Sequence, residues 1–374
     1  MREVELKDVA EVIAGQSPKS EFYNEKGEGV PFFQGKTDFG DDYPTVTTWC
    51  TQPKKMAKKG DILFSVRAPV GPTNIAKVDC CIGRGLSAIR PGDEVNRSYL
   101  RYFFKKIEEK ISDQGRGSTF KAITQKDLKA LKIPLPTLNE QKAIVAKLDR
   151  AQRLIDIDRQ MLAKYDELIQ SVFLEMFGDP VTNPKGWEKT RMDKVSNILR
   201  GGSPRPIKDY LGGNIPWIKI SDGTSGDDLY IDQTKEKIIE EGVKKSRLLE
   251  PGSLILANCG VSLGFARIIK IKGCIHDGWL SIADIKENII DPIFLLKQLN
   301  HFTDYFRRTA PDGTQPNLNT SIVKKFEIVI PSIDLQKQFV SIVLKVREET
   351  DKLLVTVKKS EELYSSLVQG VFGG

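Results

Sequence analysis

Side chains that ordinarily carry acid–base or metal chemistry are scarce in this chain. There are two histidines, His276 and His301, and five cysteines without a CxxC pair. A metal centre, a disulfide framework or a histidine base would be hard to assemble from these. Cys81 and Cys274 fall in matching strand-like runs and read as buried thiols acting as small hydrophobes. Catalytic signatures fail one by one. Gly35, Lys36 and Thr37 could end a phosphate loop, but the first glycine that loop needs falls on Val30. No Asn/Asp-Pro-Pro-Tyr/Phe motif for holding a target base occurs; Asp179-Pro180 and Asn183-Pro184 each lack the second proline. No glycine-rich dinucleotide or S-adenosylmethionine fingerprint follows a strand. Asp284-Ile285-Lys286 and Glu108-Glu109-Lys110 have the acidic-x-Lys spacing of metal-dependent nucleases without a preceding Pro-Asp pair, and read as solvated charges.

What the chain does offer is hydrogen-bonding chemistry on loops, and it offers it twice. Gln16, Ser17 and Lys19 in the first half answer Ser203, Arg205 and Lys208 in the second; Gln34 and Lys36 answer Lys219 and Ser221. Arg67 and Arg84 follow strand-like runs, as do Asn258 and Asp277. A polar loop contributes Arg116, Ser118, Thr119 and Lys121 in one half and Gln315, Asn317 and Asn319 in the other. Arginine and lysine hold phosphates or read guanine edges, and asparagine and glutamine read adenine, so these are the residue types that direct readout of DNA requires. Singly, each is also an ordinary turn former, solvated residue or helix cap. Their recurrence at matching places is the signal. A net charge of +7, from 57 basic against 50 acidic residues, suits a polyanionic partner without identifying one.

The elements that must position these loops are also duplicated. Leu6, Val9, Gly15, Ser17 and Pro18 match Met192, Val195, Gly201, Ser203 and Pro204; Val30-Pro31-Phe32-Phe33 matches Ile215-Pro216-Trp217-Ile218; Gly60 to Phe64 matches Gly252 to Leu256. Each half then has an amphipathic helix, with Tyr99, Leu100, Phe103, Phe104 and Ile107 in one and Phe294, Leu295, Leu296, Leu299 and Phe302 in the other, spaced as a core-facing stripe. The polar loop, a short helix and a strand ending in proline follow. Each globule therefore mixes short strands and short helices, an α+β arrangement.

Both globules lead into a long helix. Thr137 and Glu140 form a capping box, and no proline or glycine intervenes before Gly178, where a residue free to take positive φ is wanted. The helix should run for about 40 residues, roughly 60 Å. Leu148, Ile155, Leu162, Ile169 and Met176 recur every seven residues, interleaved with Ala151, Tyr165 and Val172, a narrow seam for one partner helix. Asp158 interrupts it and reads as a solvated charge near the seam, although a polar seam residue can also fix register. The partner lies at a shift of 195 residues, which places Pro136 on Pro331, Gln141 on Gln336 and Phe177-Gly178 on Phe372-Gly373. Its seam is Val343, Val346, Thr350, Leu353, Val357, Tyr364, Leu367 and Val371. Two such seams are most simply buried against each other. If antiparallel, they would set the globules at opposite ends of a rod, a geometry suited to a ligand with two-fold symmetry.

The expected organisation is thus a first globule over residues 1–136, a helix over 137–178, a linker and second globule over 179–331, and a closing helix over 332–374. Gly178 to Gly186, with two glycines and two prolines, marks the boundary between the halves. No apolar run approaches the roughly 18 residues of a membrane span, and the N-terminal residues are charged throughout, so a soluble cytoplasmic protein without membrane contact is expected.

The stretches KIPLPTLNEQKAIV, MFGDPVTNPKGWE and GTQPNLN, with their degenerate second copies, resemble the specificity subunits of type I restriction–modification systems over nearly the whole chain. The resemblance implies a noncatalytic subunit with two target recognition domains, each reading half of a split double-stranded DNA sequence, and two helices packed as an antiparallel coiled coil that sets the spacer. It implies two methyltransferase subunits bound around this core, with restriction subunits joining them. Cofactors would be none on this chain, S-adenosylmethionine, ATP and Mg²⁺ belonging to the partners. The match of Phe372-Gly373 to Phe177-Gly178 implies a chain complete at that end. A coiled-coil scaffold whose globules bind proteins is the alternative; it explains the seam but not the duplicated basic and amide-rich loops.

Overall fold

The structure, a computed structural model, describes residues 2–114, 123–224, 228–309 and 318–373. It falls into two compact units, Met1–Gln160 with Leu354–Gly374, and Met161–Leu353. The division cuts through both long helices, Leu138–Phe177 and Ile333–Phe372. Each unit accordingly holds one globule and half of each helix.

In the first unit a four-stranded antiparallel sheet runs in the order Ala10–Ala14, Leu86–Pro91, Ile62–Ser65, Thr73–Ile75. A five-stranded mixed sheet runs Tyr23–Asn24, Trp49–Cys50, Val30–Phe33, Cys80–Ile82, Met56–Ala57, its one parallel pair setting Phe32 and Phe33 beside Cys81 and Ile82. The strand Ile62–Ser65 is buried on both faces. Because successive side chains on a strand point to opposite sides, Ile62 and Phe64 pack under the helix Arg97–Gln114 with Tyr99, Leu100 and Phe104, while Leu63 joins Phe33, Ile82 and Leu86 in a second cluster.

The second unit repeats the plan. One sheet is ordered Asn197–Arg200, Trp279–Ala283, Leu254–Ala257, Ala266–Ile269, Tyr230–Ile231, and the other Glu236–Ile238, Leu211–Ile218, Gly273–Ile275, Arg247–Leu249. Leu254 and Leu256 face one core and Ile255 and Ala257 the other. Trp217 and Ile218 run parallel to Cys274 and Ile275, as Phe32 and Phe33 do to Cys81 and Ile82. The expected α+β globules, and the matching of Cys81 with Cys274, are what the chain forms. Both thiols are buried, and all five cysteines are free. Burial pushes the neighbouring Cys80 thiol up to about 12.

Each long helix is moored at its start by a fully buried glutamine. Gln141 Nε2 donates to the carbonyls of Glu94 (3.0 Å) and Pro136 (2.9 Å), and its Oε1 accepts from Asn96 N–H at 2.7 Å. Gln336 Nε2 donates to Ile289 (3.0 Å) and Pro331 (2.8 Å), and its Oε1 accepts from Asp291 N–H at 2.9 Å. The amide satisfies backbone groups that burial would otherwise leave unpaired. The same bonds join each long helix to the loop before the amphipathic helix of its globule, Arg97–Gln114 or Pro292–His301. Thr137 and Glu140 form their capping box, at 2.8 and 3.4 Å, and the hydrogen bonds from Thr137 hold the Glu140 carboxyl below its usual range. Gly178 takes φ of 75° just past the helix end.

Within each unit the two helix halves pack antiparallel. In the first, Leu148, Ala151 and Ile155 lie with Tyr364, Val368 and Phe372, and Arg159 pairs with Glu361 at 2.6 Å. In the second, Ile169, Phe173 and Phe177 meet Phe339, Val340, Val343 and Val346, the rings of Phe177 and Phe339 being 5.5 Å apart. The seam is wider here than a spacing of 3.5 implies. Phe173, fully buried, stands outside the heptad set because the helix ends cover a globule as well as a partner helix, and a globular core takes the broader 3.6-period face. Asp158 is partly exposed, with no hydrogen bond or ion pair among the described residues.

Candidate nucleic-acid interface

Three loops converge in each globule, held by one set of backbone bonds. Gly15 N–H donates to Leu86 O (3.0 Å) and Gln16 N–H to Ile82 O (2.9 Å); the counterparts are Gly201 to Trp279 (2.9 Å) and Gly202 to Ile275 (3.1 Å). Gly83 N–H donates to Phe33 O (2.8 Å), as His276 N–H does to Ile218 O (3.0 Å). The approach is close enough to demand glycine: a Cβ on Gly15 would stand 2.1 Å from Gly83 O, and one on Gly201 2.2 Å from His276 O. Ser17 and Ser203 sit at the centre, each hydroxyl oxygen accepting a backbone N–H from the opposing loop, Arg84 at 3.2 Å and Asp277 at 3.3 Å.

The fourth loop enters at the same place in both. Ile123 N–H donates to Val66 O (3.0 Å) and Leu318 N–H to Asn258 O (2.8 Å). This register matches Val66 with Asn258, so the counterpart of Arg67 is Cys259. Arg116, Thr119, Lys121, Gln315 and Asn317 precede these anchor residues and lie outside the described residues. Asn319 caps the helix Thr320–Lys325, accepting from Ile322 N–H at 3.0 Å.

In the first globule the loops bring together Gln16, Ser17, Gln34, Arg67 and Arg84, all exposed except Ser17, which is partly buried. Lys36 is exposed in the turn that follows Gln34, and Lys19 is exposed and loosely paired with Glu21 at 3.4 Å. The Gln34 amide lies against Ser17, its Nε2 3.0 Å and its Oε1 3.3 Å from Oγ. This leaves a surface of amide, hydroxyl and guanidinium groups.

The second globule places its polar residues differently. Ser203 Oγ donates to Asp277 Oδ1 at 2.9 Å, and Arg205 reaches Asp277 Oδ2 at 3.4 Å, its side chain 80% exposed. Lys208 and Ser221 are exposed. Lys219 is ion-paired with Glu236, with its Nζ 5.8 Å from the Trp217 ring centroid. One expected contact is corrected by the structure. Asn258 is only 1% exposed; its Nδ2 donates to Asp277 O at 3.1 Å, which makes it a bolt behind the loop rather than a group on its surface. Sequence reasoning missed Arg200, exposed beside Gly201, whose Nε lies 3.4 Å from Asp277 O. Its only signal was its place immediately before GGSP.

Ser203, Asp277 and His276 are the constituents of a hydrolytic triad in an arrangement that cannot act as one. The carboxylate stands between serine and imidazole, whereas activation requires the imidazole next to the hydroxyl. His276 Nδ1 accepts from Gly278 N–H at 2.9 Å, so its 3.0 Å approach to Asp277 is not a hydrogen bond while that nitrogen carries no proton. Burial lowers the His276 pKa, keeping the ring neutral despite the nearby carboxylate. For Asp277, burial acts upward, but the hydrogen bond from Ser203 and the positive charge of Arg205 carry it below the usual carboxylate range.

Two repeated α+β globules, each leading into a long helix and each carrying a polar loop cluster, define a duplicated two-globule protein. The profile of the family described as "Type I restriction modification DNA specificity domain" matches residues 1–164 and again 184–362. The chain belongs to that family. It is 26% identical to the MjaIX type I restriction enzyme specificity subunit of Methanocaldococcus jannaschii, over 98% of this chain and 92% of the relative. To a protein of the same organism assigned as the specificity subunit of the type I restriction enzyme MjaX it is 50% identical over 150 residues, 40% of this chain and 35% of that relative. The match thus spans about a third of the MjaX relative's length. Among solved structures it resembles the S subunit of a type I restriction–modification system from M. genitalium, with a TM-score of 0.54 and 18% identity over 99% of this chain and 96% of the other, a likeness of fold.

Proposed function

We propose that this chain is the noncatalytic DNA-reading subunit of a type I restriction–modification complex. Each globule reads one part of a bipartite duplex target, and two methyltransferase subunits dock on the long helices, with restriction subunits joining through them. The observation that carries this reading is the duplicated loop cluster around Ser17 and Ser203, two surfaces of donors and cations on one frame. Docking is supported by apolar side chains that the helix pair leaves exposed, Leu154, Val355 and Leu363 in the first unit and Leu168 and Leu344 in the second. The chain itself holds no cofactor; S-adenosylmethionine, ATP and Mg²⁺ act on the partner subunits. Its place is the cytoplasm, and among the described residues no helix is long and apolar enough to cross a membrane.

The test is selection from a randomised duplex library by the chain assembled with its methyltransferase subunits. A split sequence preference is expected, with affinity falling steeply as salt rises because phosphate contacts release counterions. Absence of any sequence preference would overturn the reading and leave a protein scaffold. Product formed from DNA, S-adenosylmethionine, Mg²⁺ and ATP by the chain alone would overturn its noncatalytic part.

A further inference from the structure

The two clusters share a backbone frame and a central serine, yet that serine holds a different side chain in each. In the first globule the residue opposite Ser17 is Gly83. A Cβ there would stand 2.9 Å from Gln34 Oε1 and 3.1 Å from Gln34 Cα, so the absence of a side chain is what lets Gln34 lie across the loop. Its amide then rests on Ser17, and Gln34 remains exposed. In the second globule the Gly83 position is His276 and the Gln34 position is Lys219. There the imidazole lies 5.4 Å from the Trp217 ring, and Lys219 pairs with Glu236. Ser203, relieved of that partner, donates to Asp277, and Asp277 in turn holds Arg205.

We propose that Ser17 and Ser203 are equivalent positioning residues for unlike readers: Gln34 reads an adenine in the half-site of the first globule, and Arg205, aimed by Asp277, reads a guanine in that of the second. This rests on the DNA-reading role proposed above. A glutamine amide pairs with adenine N6 and N7, and a guanidinium with guanine O6 and N7. A phosphate contact needs no fixed orientation of the side chain, whereas a bidentate base contact does. Asp277 supplies that orientation. It is ionised, anchored by Ser203, and its main-chain carbonyl accepts from the buried Asn258 at 3.1 Å, so the carboxylate sits on a fixed support while the Arg205 side chain projects 80% exposed. A bare carboxylate facing DNA would repel phosphates; paired with Arg205 it contributes a directed cation instead.

The experiment is library selection with the full chain in its methyltransferase complex, reading base preference position by position, alongside affinity against salt. Gln34→Ala should reduce discrimination at one adenine of the first half-site on the order of 10- to 100-fold and leave the second unchanged; Arg205→Ala should do the same at one guanine of the second half-site only. Ser17→Ala and Asp277→Asn should lower discrimination at those same positions by less, and Ser17→Thr, which keeps the hydroxyl, should restore it. Gln34 and Arg205 are exposed, so folding is preserved, and circular dichroism checks this. If Gln34→Ala or Arg205→Ala weakens binding uniformly across sequences and only flattens the salt slope, the side chain contacts phosphate and the proposal falls. If the changes appear at positions unrelated to adenine or guanine it falls as well. Wild-type protein that selects no sequence defeats the underlying DNA-reading role instead, a distinct outcome.

Discussion

The two globules are built on one backbone plan, and comparing them separates what the plan requires from what each copy is free to choose. Shared are the glycines at 15 and 201, where a Cβ would meet main chain, and the serines at 17 and 203 and the glutamines at 141 and 336, each of which hydrogen-bonds main chain in the same way in both copies. Free are the side chains that stand on that frame. A difference also runs into the core. Asp61, with its side chain 3% exposed, takes a bidentate pair from Arg90 at 2.9 and 3.0 Å, and Arg90 reaches Glu11 at 2.7 Å. In the second unit Asp61 is replaced by Ser253, whose hydroxyl donates to the carbonyl of Glu250 at 2.7 Å, and Arg90 by Ala283. One copy secures the start of its central strand with charge, the other with a neutral turn.

That contrast predicts unequal sensitivity to mutation. Arg90→Ala leaves the buried Asp61 carboxylate with only the bond from Lys58 N–H at 2.8 Å, and should destabilise the first unit by up to about 3 kcal/mol; hydrogen exchange followed by peptide should show protection lost around residues 62–65 and 86–91 and retained over 254–257. Equal protection loss in both units would contradict the independence of the two cores. The shared glutamines should behave alike. Gln141→Ala and Gln336→Ala strip the same backbone partners and should each cost about 1–3 kcal/mol, measured as urea midpoints with unchanged m-values. A large effect from one and none from the other would break the equivalence of the moorings.

The smallest expected effect is one of pH, and it falls on one unit only. Both histidines, His276 and His301, belong to the second unit, and burial lowers the pKa of each from the ordinary 6.5. As pH falls through 6.5 the unfolded chain takes up protons that the folded chain does not, so the second unit loses stability from about that pH downward until the folded imidazoles protonate. The effect is modest because both rings remain partly exposed. The first unit, without histidine, should be level over the same range. Hydrogen exchange at pH 7.5 and 5.5, corrected for intrinsic rates, distinguishes the two, and a His276→Gln, His301→Gln double variant should flatten the second unit's response.

Much of this was legible in the residues. The 195-residue shift that superposes Gln141 on Gln336 also superposes the carbonyls those glutamines hold, Glu94 on Ile289 and Pro136 on Pro331, so the moorings, which the structure revealed, follow the repeat that predicted the helices. The capping box at Thr137, the cap at Gly178 and the two-faced strands at Ile62 and Leu254 follow from local periodicity and turn chemistry, which a sequence carries directly. Phe173 escaped notice because a heptad describes one helix against another, and its burial depends on a globule folded elsewhere in the chain.

The loops divide the same way. That Gln16, Ser17, Gln34, Arg84, Ser203 and Arg205 belong to polar loops at matching places was written in residue type and spacing. Whether a given side chain is available was not. Asn258 has the composition of a contact residue, yet it is enclosed behind Asp277. Partnership between residues 17 and 34, or 203 and 277, depends on loops distant in sequence meeting within hydrogen-bonding reach, and a single glycine or imidazole at 83 or 276 settles which partner fits. The sequence by itself determined the repeat, the helices and the set of polar groups on offer, since those rest on periodicity and local bonding. Only the tertiary structure decided which of those groups remain free to meet another molecule, since that depends on which partners the fold has already satisfied.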